Sequence, residues 1–249
     1  MDYKEISDSE IEIEGLRIHL DNGDNYIRYR ERGDVFYMSK SRGYLDSYRQ
    51  IASQLFNQSV ALNILEMGIL QGGSVVFFDK FFEPRKLVCI DIMRDPAPAL
   101  ERYPGSHIRK YYGTSQADAP AVKRIIQSEF REPIDLVIDD ASHWYEETRT
   151  SFEAVFPYLR PGGIYIIEDW TWAHGSAAQR DDHIWRDKHA LTNLILQLVM
   201  VAGSDAGVIS RMGLLTGLAW IERGTSELSK EHFSLSAWQS PRGRALTLI

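Results

Sequence analysis

The sequence predicts an α/β fold, a doubly wound and mostly parallel sheet, on three observations. Short apolar strands alternate with segments of helical period over about 160 residues. The first of these strands runs into a glycine-rich turn, with Gly68, Gly72 and Gly73, that opens a helix. Every strand end carries acidic or other polar side chains, while the strand bodies are apolar. At 44% hydrophobic and 25% charged, a chain of 249 residues has the composition of a soluble globular protein and can bury a core of ordinary size.

Residues 1–34 are charge-rich, with turn signals at Asp21-Asn22-Gly23 and Gly33-Asp34. They read as an N-terminal arm holding one short strand near Glu12 to Ile18. The spacing of Leu45, Tyr48, Ile51, Ala52 and Leu55 gives a helix with one apolar face over Tyr44 to Phe56. Strand one is Ala61 to Met67, followed by a helix from Ser74 to Phe82. Pro84 ends that connection, and Lys86 to Asp91 is strand two. A third strand falls near His107 to Tyr112. Pro120 then sits in the first turn of a helix through Phe130, a favoured place for proline. Ile134 to Asp139 is strand four, Trp144 to Leu159 a long helix, and Ile164 to Glu168 strand five, delivered by the turn Arg160-Pro161-Gly162-Gly163. An amphipathic helix over Trp185 to Val201 precedes two linked strands, Gly207 to Met212 and Leu215 to Ile221. These form an antiparallel C-terminal hairpin at one sheet edge. The expected organisation is an arm or lid, 1–43, and one α/β domain, 44–249.

Bulk properties exclude several classes. A formal net charge of −7 with no basic face argues against nucleic acid and against an anionic membrane as partner. Cys89 stands alone inside the apolar run KLVCID, which excludes an intramolecular disulfide and reads as a buried small hydrophobe. The acidic N-terminus is no signal peptide, and the apolar stretch around Leu194 to Ala202 is too short to span a bilayer. A cytoplasmic protein is expected, with the question of a homo-oligomer left open.

In open parallel sheets ligands sit beyond the carboxyl ends of the strands. Strand one ends at Glu66 and the turn G-x-x-x-G-G, which departs from the dinucleotide pattern G-x-G-x-x-G. Ser74 opens the helix after it. Asp91, 23 residues beyond Gly68, is placed to accept bonds from ribose hydroxyls. A carboxylate at Glu66 would repel a pyrophosphate but suits a sulfonium, which favours S-adenosylmethionine over NAD as cofactor. Strand four ends at Asp139-Asp140. Adjacent strand residues face opposite ways, so the two differ in role: Asp139 goes with the cofactor residues and Asp140 with a metal. Asp140, Glu168 and Asp169 can converge from strands four and five, and carboxylates so close repel unless a cation sits between them or one is protonated. Oxygen donors without cysteine or paired histidine point to Mg²⁺. His143 stands at the mouth of the same cleft, where a neutral imidazole can take a proton from a hydroxyl acidified by that cation. Trp170 and Trp172 could wall an acceptor pocket, and Tyr37, Lys40, Ser41, Arg42 and Tyr44 could form a lid. His174 and His183 read as structural.

From Asn63 to Asp169 these residues resemble the class I, Rossmann-like S-adenosylmethionine-dependent O-methyltransferases. LEMGILQGGS is similar to that family's first motif, and CIDI, with Asp91, to its ribose-binding acid. YGTSQAD resembles the adenine-contacting loop of catechol-type enzymes, which implies cofactor roles for Ser115 and Gln116. VIDDASH followed by LRPGGIYIIEDW resembles the metal-dependent sugar O-methyltransferases of macrolide and related antibiotic pathways, including those acting on deoxysugars such as rhamnose. The resemblance implies that Asp140 and Asp169 hold Mg²⁺ and that His143 is the general base. It implies a small-molecule glycosylated acceptor. Catechol-type enzymes carry lysine where His143 stands, which argues against a catechol. Three other readings remain open at this point, an NAD-dependent oxidoreductase on the same fold, a non-catalytic binding module, and a hydroxylase-like or otherwise diverged relative.

Overall fold

The computed structural model describes residues 3–20, 36–55, 61–239 and 248. The expected turns at 21–23 and 33–34, and the helix end at Phe56, lie outside these. The described chain forms two compact units, 1–113 and 114–249.

The first unit opens with a four-stranded sheet in the order β1 (Lys4–Ser7), β2 (Glu10–Ile13), β3 (Leu16–Leu20), β4 (Phe36–Met38). The first three strands pair antiparallel, and β3 pairs β4 in parallel. The single strand expected over Glu12 to Ile18 is therefore a hairpin. Glu14 and Gly15 both take positive φ, 47° and 78°, as the tight turns that match strand twist require. Ile11, Ile13, Ile18 and Leu20 alternate inward and are buried, a period of two that the surrounding charges mask in the sequence. Helix α1 (Arg42–Leu55) buries Leu45, Tyr48, Ile51 and Ala52, the face the spacing predicts. Helix α2 (Gly73–Phe82) is buried at every residue but Lys80 and packs against β2, β3 and β4. Tyr37 and Lys40, expected in a lid, are buried in this unit, and Arg42 donates to Glu5 Oε2 at 2.8 Å. Three parallel strands follow: β5 (Asn63–Met67), β6 (Lys86–Asp91) and β7 (Ile108–Tyr112), paired in sequence order. A short helix, α3 (Pro98–Arg102), joins the last two and was not foreseen.

In the second unit Asp118 caps α4 (Ala119–Glu129) by accepting from the Ala121 amide at 3.0 Å, and Pro120 occupies its first turn. Strand β8 (Ile134–Asp139) is buried throughout, as a parallel strand covered on both faces should be. The helix expected over Trp144 to Leu159 is shorter. α5 (Tyr145–Val155) gives way to a 3₁₀ turn carrying Pro157, and β9 (Leu159–Glu168) begins at once. The Pro161-Gly162-Gly163 turn lies inside β9 as an irregularity of the β8 ladder. The helix expected from Trp185 instead starts at Thr192 as α6 (Thr192–Ser204), because Trp185 is engaged by other aromatic rings. The C-terminal hairpin is present as β10 (Ile209–Leu215) and β11 (Leu218–Arg223), turning at Gly217. Strand order here is β10-β11-β9-β8, with β9 parallel to β8 and antiparallel to β11. The fold class is the expected one, α/β with mostly parallel strands from β5 to β9 and an antiparallel edge hairpin, and the antiparallel strands β1 to β3 are added to it.

Candidate active site

In the first unit the glycine turn is built by left-handed residues. Gly68, Leu70 and Gly72 have φ of 103°, 47° and 82°, and the Gly68 amide donates to Ile90 O at 2.9 Å. Gly73 is required for a different reason: a Cβ there would sit 2.2 Å from Tyr37 O. Asp91 holds the turn in shape. Its Oδ2 accepts from the Ile69 and Leu70 amides at 2.7 and 2.8 Å, and its Oδ1 from Met93 N at 2.7 Å. The acid expected to read ribose hydroxyls thus also fastens the loop expected to receive the cofactor. Leu70 and Ile92, which flank these bonds in sequence, are 40% and 70% exposed. Exposed apolar side chains beside such an acid suit the flat face of a base, a feature that residue type alone did not reveal.

Two expectations need correction here. Ser74 does not open α2. The cap is Gly72, without a side-chain bond, and Ser74 is buried in the first turn. Glu66 lies wholly buried in the β5–β6 ladder opposite Cys89, whose thiol donates to Glu66 Oε2 at 3.5 Å. Burial, reinforced by that carboxylate, holds the thiol well above its ordinary pKa. Cys89 is the buried hydrophobe expected.

The second unit carries a buried polar network around Asp139. Its carboxylate accepts from Tyr165 Oη and Ser151 Oγ, each at 2.7 Å, and from Gln116 Nε2 at 3.1 Å. Burial pushes the Asp139 carboxyl up, the Tyr165 and Ser151 bonds act the other way, and the balance leaves it raised to about 6. Asp139 and Gln116, expected at the cofactor, spend these side-chain groups inside this unit. Gln116 Oε1 accepts from the Ser142 amide at 2.7 Å, which ties it to the loop after β8. Ser115 Oγ accepts from Ala117 N at 3.2 Å and shapes the turn before α4. Nothing in the sequence marked Ser151 or Tyr165. Tyr165 meets Asp139 because the parallel register sets it opposite Val137, diagonal to Asp139, and Ser151 reaches the same carboxylate from α5.

Beyond that network Asp140, His143 and Asp169 come together, each offering one donor atom within 4.8 Å of the others. His143 Nε2 lies 3.7 Å from Asp140 Oδ1 and 3.7 Å from Asp169 Oδ2. Asp140 and His143 side chains are partly buried and Asp169 is half exposed, so the cluster is open on one side. His143 and Asp169 both take left-handed backbone, φ 58° and 53°. Non-glycine residues held there cost on the order of 1 kcal/mol each and cluster at functional sites. Two carboxylates leave room around a six-coordinate ion for substrate or water, so the oxygen donors fit Mg²⁺. Glu168 is not part of the group. It is 1% exposed at the end of β9, whereas Asp169, just past the strand in left-handed backbone, is half exposed.

Trp170 and Trp172 brace this region through their indole N–H groups. Trp170 donates to Leu215 O at 3.1 Å, and Trp172 to His143 O at 2.7 Å. His183 stacks on Trp172 with centroids 6.1 Å apart, and Trp185 meets it edge-on at 5.1 Å. His174 contacts Thr192 Oγ1 at 2.5 Å, the structural place expected of it. No helix among the described residues is long and apolar enough to cross a membrane.

Residues 65–170 match the methyltransferase domain family model. Mycinamicin VI 2''-O-methyltransferase of Micromonospora griseorubida is 40% identical over 123 residues, which is 46% of this chain and 28% of that protein. Demethylmacrocin O-methyltransferase of Streptomyces fradiae is 65% identical over 40 residues, 16% of this chain and 10% of that protein. The chain thus matches under a third of the length of these curated relatives. Among solved structures, the MycE methyltransferase from the mycinamycin biosynthetic pathway, in complex with Mg and SAH, aligns with a TM-score of 0.55 at 27% identity, covering 71% of this chain and 49% of MycE. The O-methyltransferase TomG from Streptomyces achromogenes, at 17% identity and a TM-score of 0.54, covers 81% of this chain and 90% of its own and shares the fold. The chain is therefore a class I methyltransferase fold whose residues 65–170 match a methyltransferase domain and which resembles the sugar O-methyltransferases of macrolide and related antibiotic pathways.

Proposed function

We propose that the chain transfers a methyl group from S-adenosylmethionine to a hydroxyl of a sugar on a glycosylated natural product, with Mg²⁺ as the metal. The observation that carries this reading is the Asp140, His143 and Asp169 cluster, two members of which sit in strained backbone. Support comes from relatives that are named as macrolide sugar O-methyltransferases and from a structural neighbour bound to Mg and SAH.

When bound, S-adenosylmethionine supplies an electrophilic methyl on sulfur, and Mg²⁺ supplies the positive charge that acidifies a hydroxyl and fixes its place. Asp140 and Asp169 would hold that charge. His143 would accept the proton that the acceptor hydroxyl loses, at an Nε2 that lies 3.7 Å from a carboxylate oxygen of each acid. In the first unit Gly68 and Gly72 take left-handed backbone that favours glycine, and Asp91 keeps the turn in place for the cofactor. Ser115 and Gln116 belong to this reading through the loop they shape.

The test is mass spectrometry of glycosylated acceptors for the gain of one CH₂ unit, with and without chelator. Methylation that is lost on chelation and in Asp140→Asn supports the reading. Activity indifferent to chelator removes the metal from it. NADH binding without S-adenosylhomocysteine binding would favour the oxidoreductase instead.

A further inference from the structure

We propose that Gln116 and Trp172 are positioning residues: they clamp the 140–143 loop from its two sides and hold His143 and Asp140 where they can meet Asp169. The inference rests on reading that cluster as the metal site.

His143 at φ 58° pays a conformational cost that isolated chain would relax, so its surroundings must hold it. Two hydrogen bonds bracket it. The Ser142 amide, one residue before, donates to Gln116 Oε1 at 2.7 Å, and the carbonyl of His143 itself accepts from Trp172 Nε1 at 2.7 Å. A local bond from the Trp144 amide to Ser142 Oγ at 3.2 Å closes the loop into a turn.

Each arm of the clamp is anchored. Gln116 is 5% exposed, and its Nε2 donates to Asp139 Oδ1 and to Ser151 Oγ, both at 3.1 Å. Those acceptors fix which way the amide faces, because the reversed orientation would set Oε1 against the Asp139 carboxylate. Its oxygen is thereby aimed at the Ser142 amide. Trp172 is tied to the opposite half of the cluster, since its own backbone amide donates to Asp169 O at 3.2 Å. One residue therefore bonds the main chain of both left-handed members, Asp169 through its amide and His143 through its indole. The ring is held by His183 stacked at an interplanar angle of 13° and by the edge of Trp185. Gln116 Oε1 is engaged by the Ser142 amide and the Trp172 indole N–H can only donate, so both act through the loop.

This departs from the role that the family resemblance gives Gln116. Its side chain works on the acidic loop.

The experiment is calorimetric titration of the full chain with Mn²⁺ as probe, alongside titration with S-adenosylhomocysteine. Trp172→Phe keeps an aromatic ring and removes the N–H. Gln116→Leu keeps the volume and removes both polar groups. Asp140→Asn is the control that destroys the site. Mn²⁺ affinity should fall roughly tenfold or more in Trp172→Phe and in Gln116→Leu, as losses around metal ligands do, with S-adenosylhomocysteine affinity unchanged. Should Gln116→Leu fail to fold, Trp172→Phe decides. Wild-type Mn²⁺ affinity in a folded Trp172→Phe overturns the clamp while leaving the metal site standing. Parallel loss of metal and cofactor affinity means general loosening and also overturns it. A wild-type chain that takes up no Mn²⁺ overturns the metal reading, and the clamp with it.

Discussion

Tyr165→Phe removes one oxygen from the interior and leaves the ring's shape intact. That oxygen donates to Asp139 Oδ2 at 2.7 Å in a site where Tyr165 is wholly buried and Asp139 is 2% exposed. At pH 8 the Asp139 carboxyl, at about 6, is ionised, so the bond lost is one to a charged acceptor. Such bonds contribute about 1.5–3 kcal/mol, and no water can replace this one without a cavity to hold it. Ser151 and Gln116 keep their bonds to the same carboxylate, which holds the loss near the middle of that range, about 2 kcal/mol. For a chain of this size the melting temperature should fall by roughly 4–8 °C. Differential scanning calorimetry at pH 8 measures it. A melting temperature within about one degree of wild type would refute the claim that this network stabilises the second unit.

Other outcomes can be checked on the same material. His143→Ala should lower turnover roughly 10²-fold or more while S-adenosylhomocysteine titration stays close to wild type, and equal turnover would remove His143 as base. Asp91→Ala takes away the acceptor for three backbone amides, so S-adenosylhomocysteine affinity should fall roughly tenfold or more by calorimetry, with Mn²⁺ affinity retained. Gly73→Ala drives a methyl to 2.2 Å from Tyr37 O and should destabilise by about 1–3 kcal/mol in urea denaturation.

The parallel strands β5, β6 and β8 were legible because strands covered on both faces read as continuous apolar runs. Asp140, His143 and Asp169 were legible because acids at strand ends stand out against such runs. The N-terminal hairpin was missed since Ile11, Ile13, Ile18 and Leu20 are diluted by charges on the alternate face. The start of α6 was misjudged because Trp185 looks like the first residue of an apolar stripe, whereas its ring belongs to the Trp172 group. Gln116 was hardest. A glutamine's destination depends on which loop the fold lays beside it, and nothing in the spacing of 116 and 142 records that.

Cys89 gives the first unit an internal clock. It is the one cysteine in 249 residues, wholly shielded on β6 and kept protonated by burial and by Glu66. A thiol in that state reacts with an alkylating reagent only after the strand around it has opened, so its modification rate counts openings. The same strand ends at Asp91, whose carboxylate fastens the glycine turn. A ligand that binds only the closed form slows the clock in proportion to its own occupancy. Cofactor binding can thus be timed at β6 in a chain that turns over no acceptor at all.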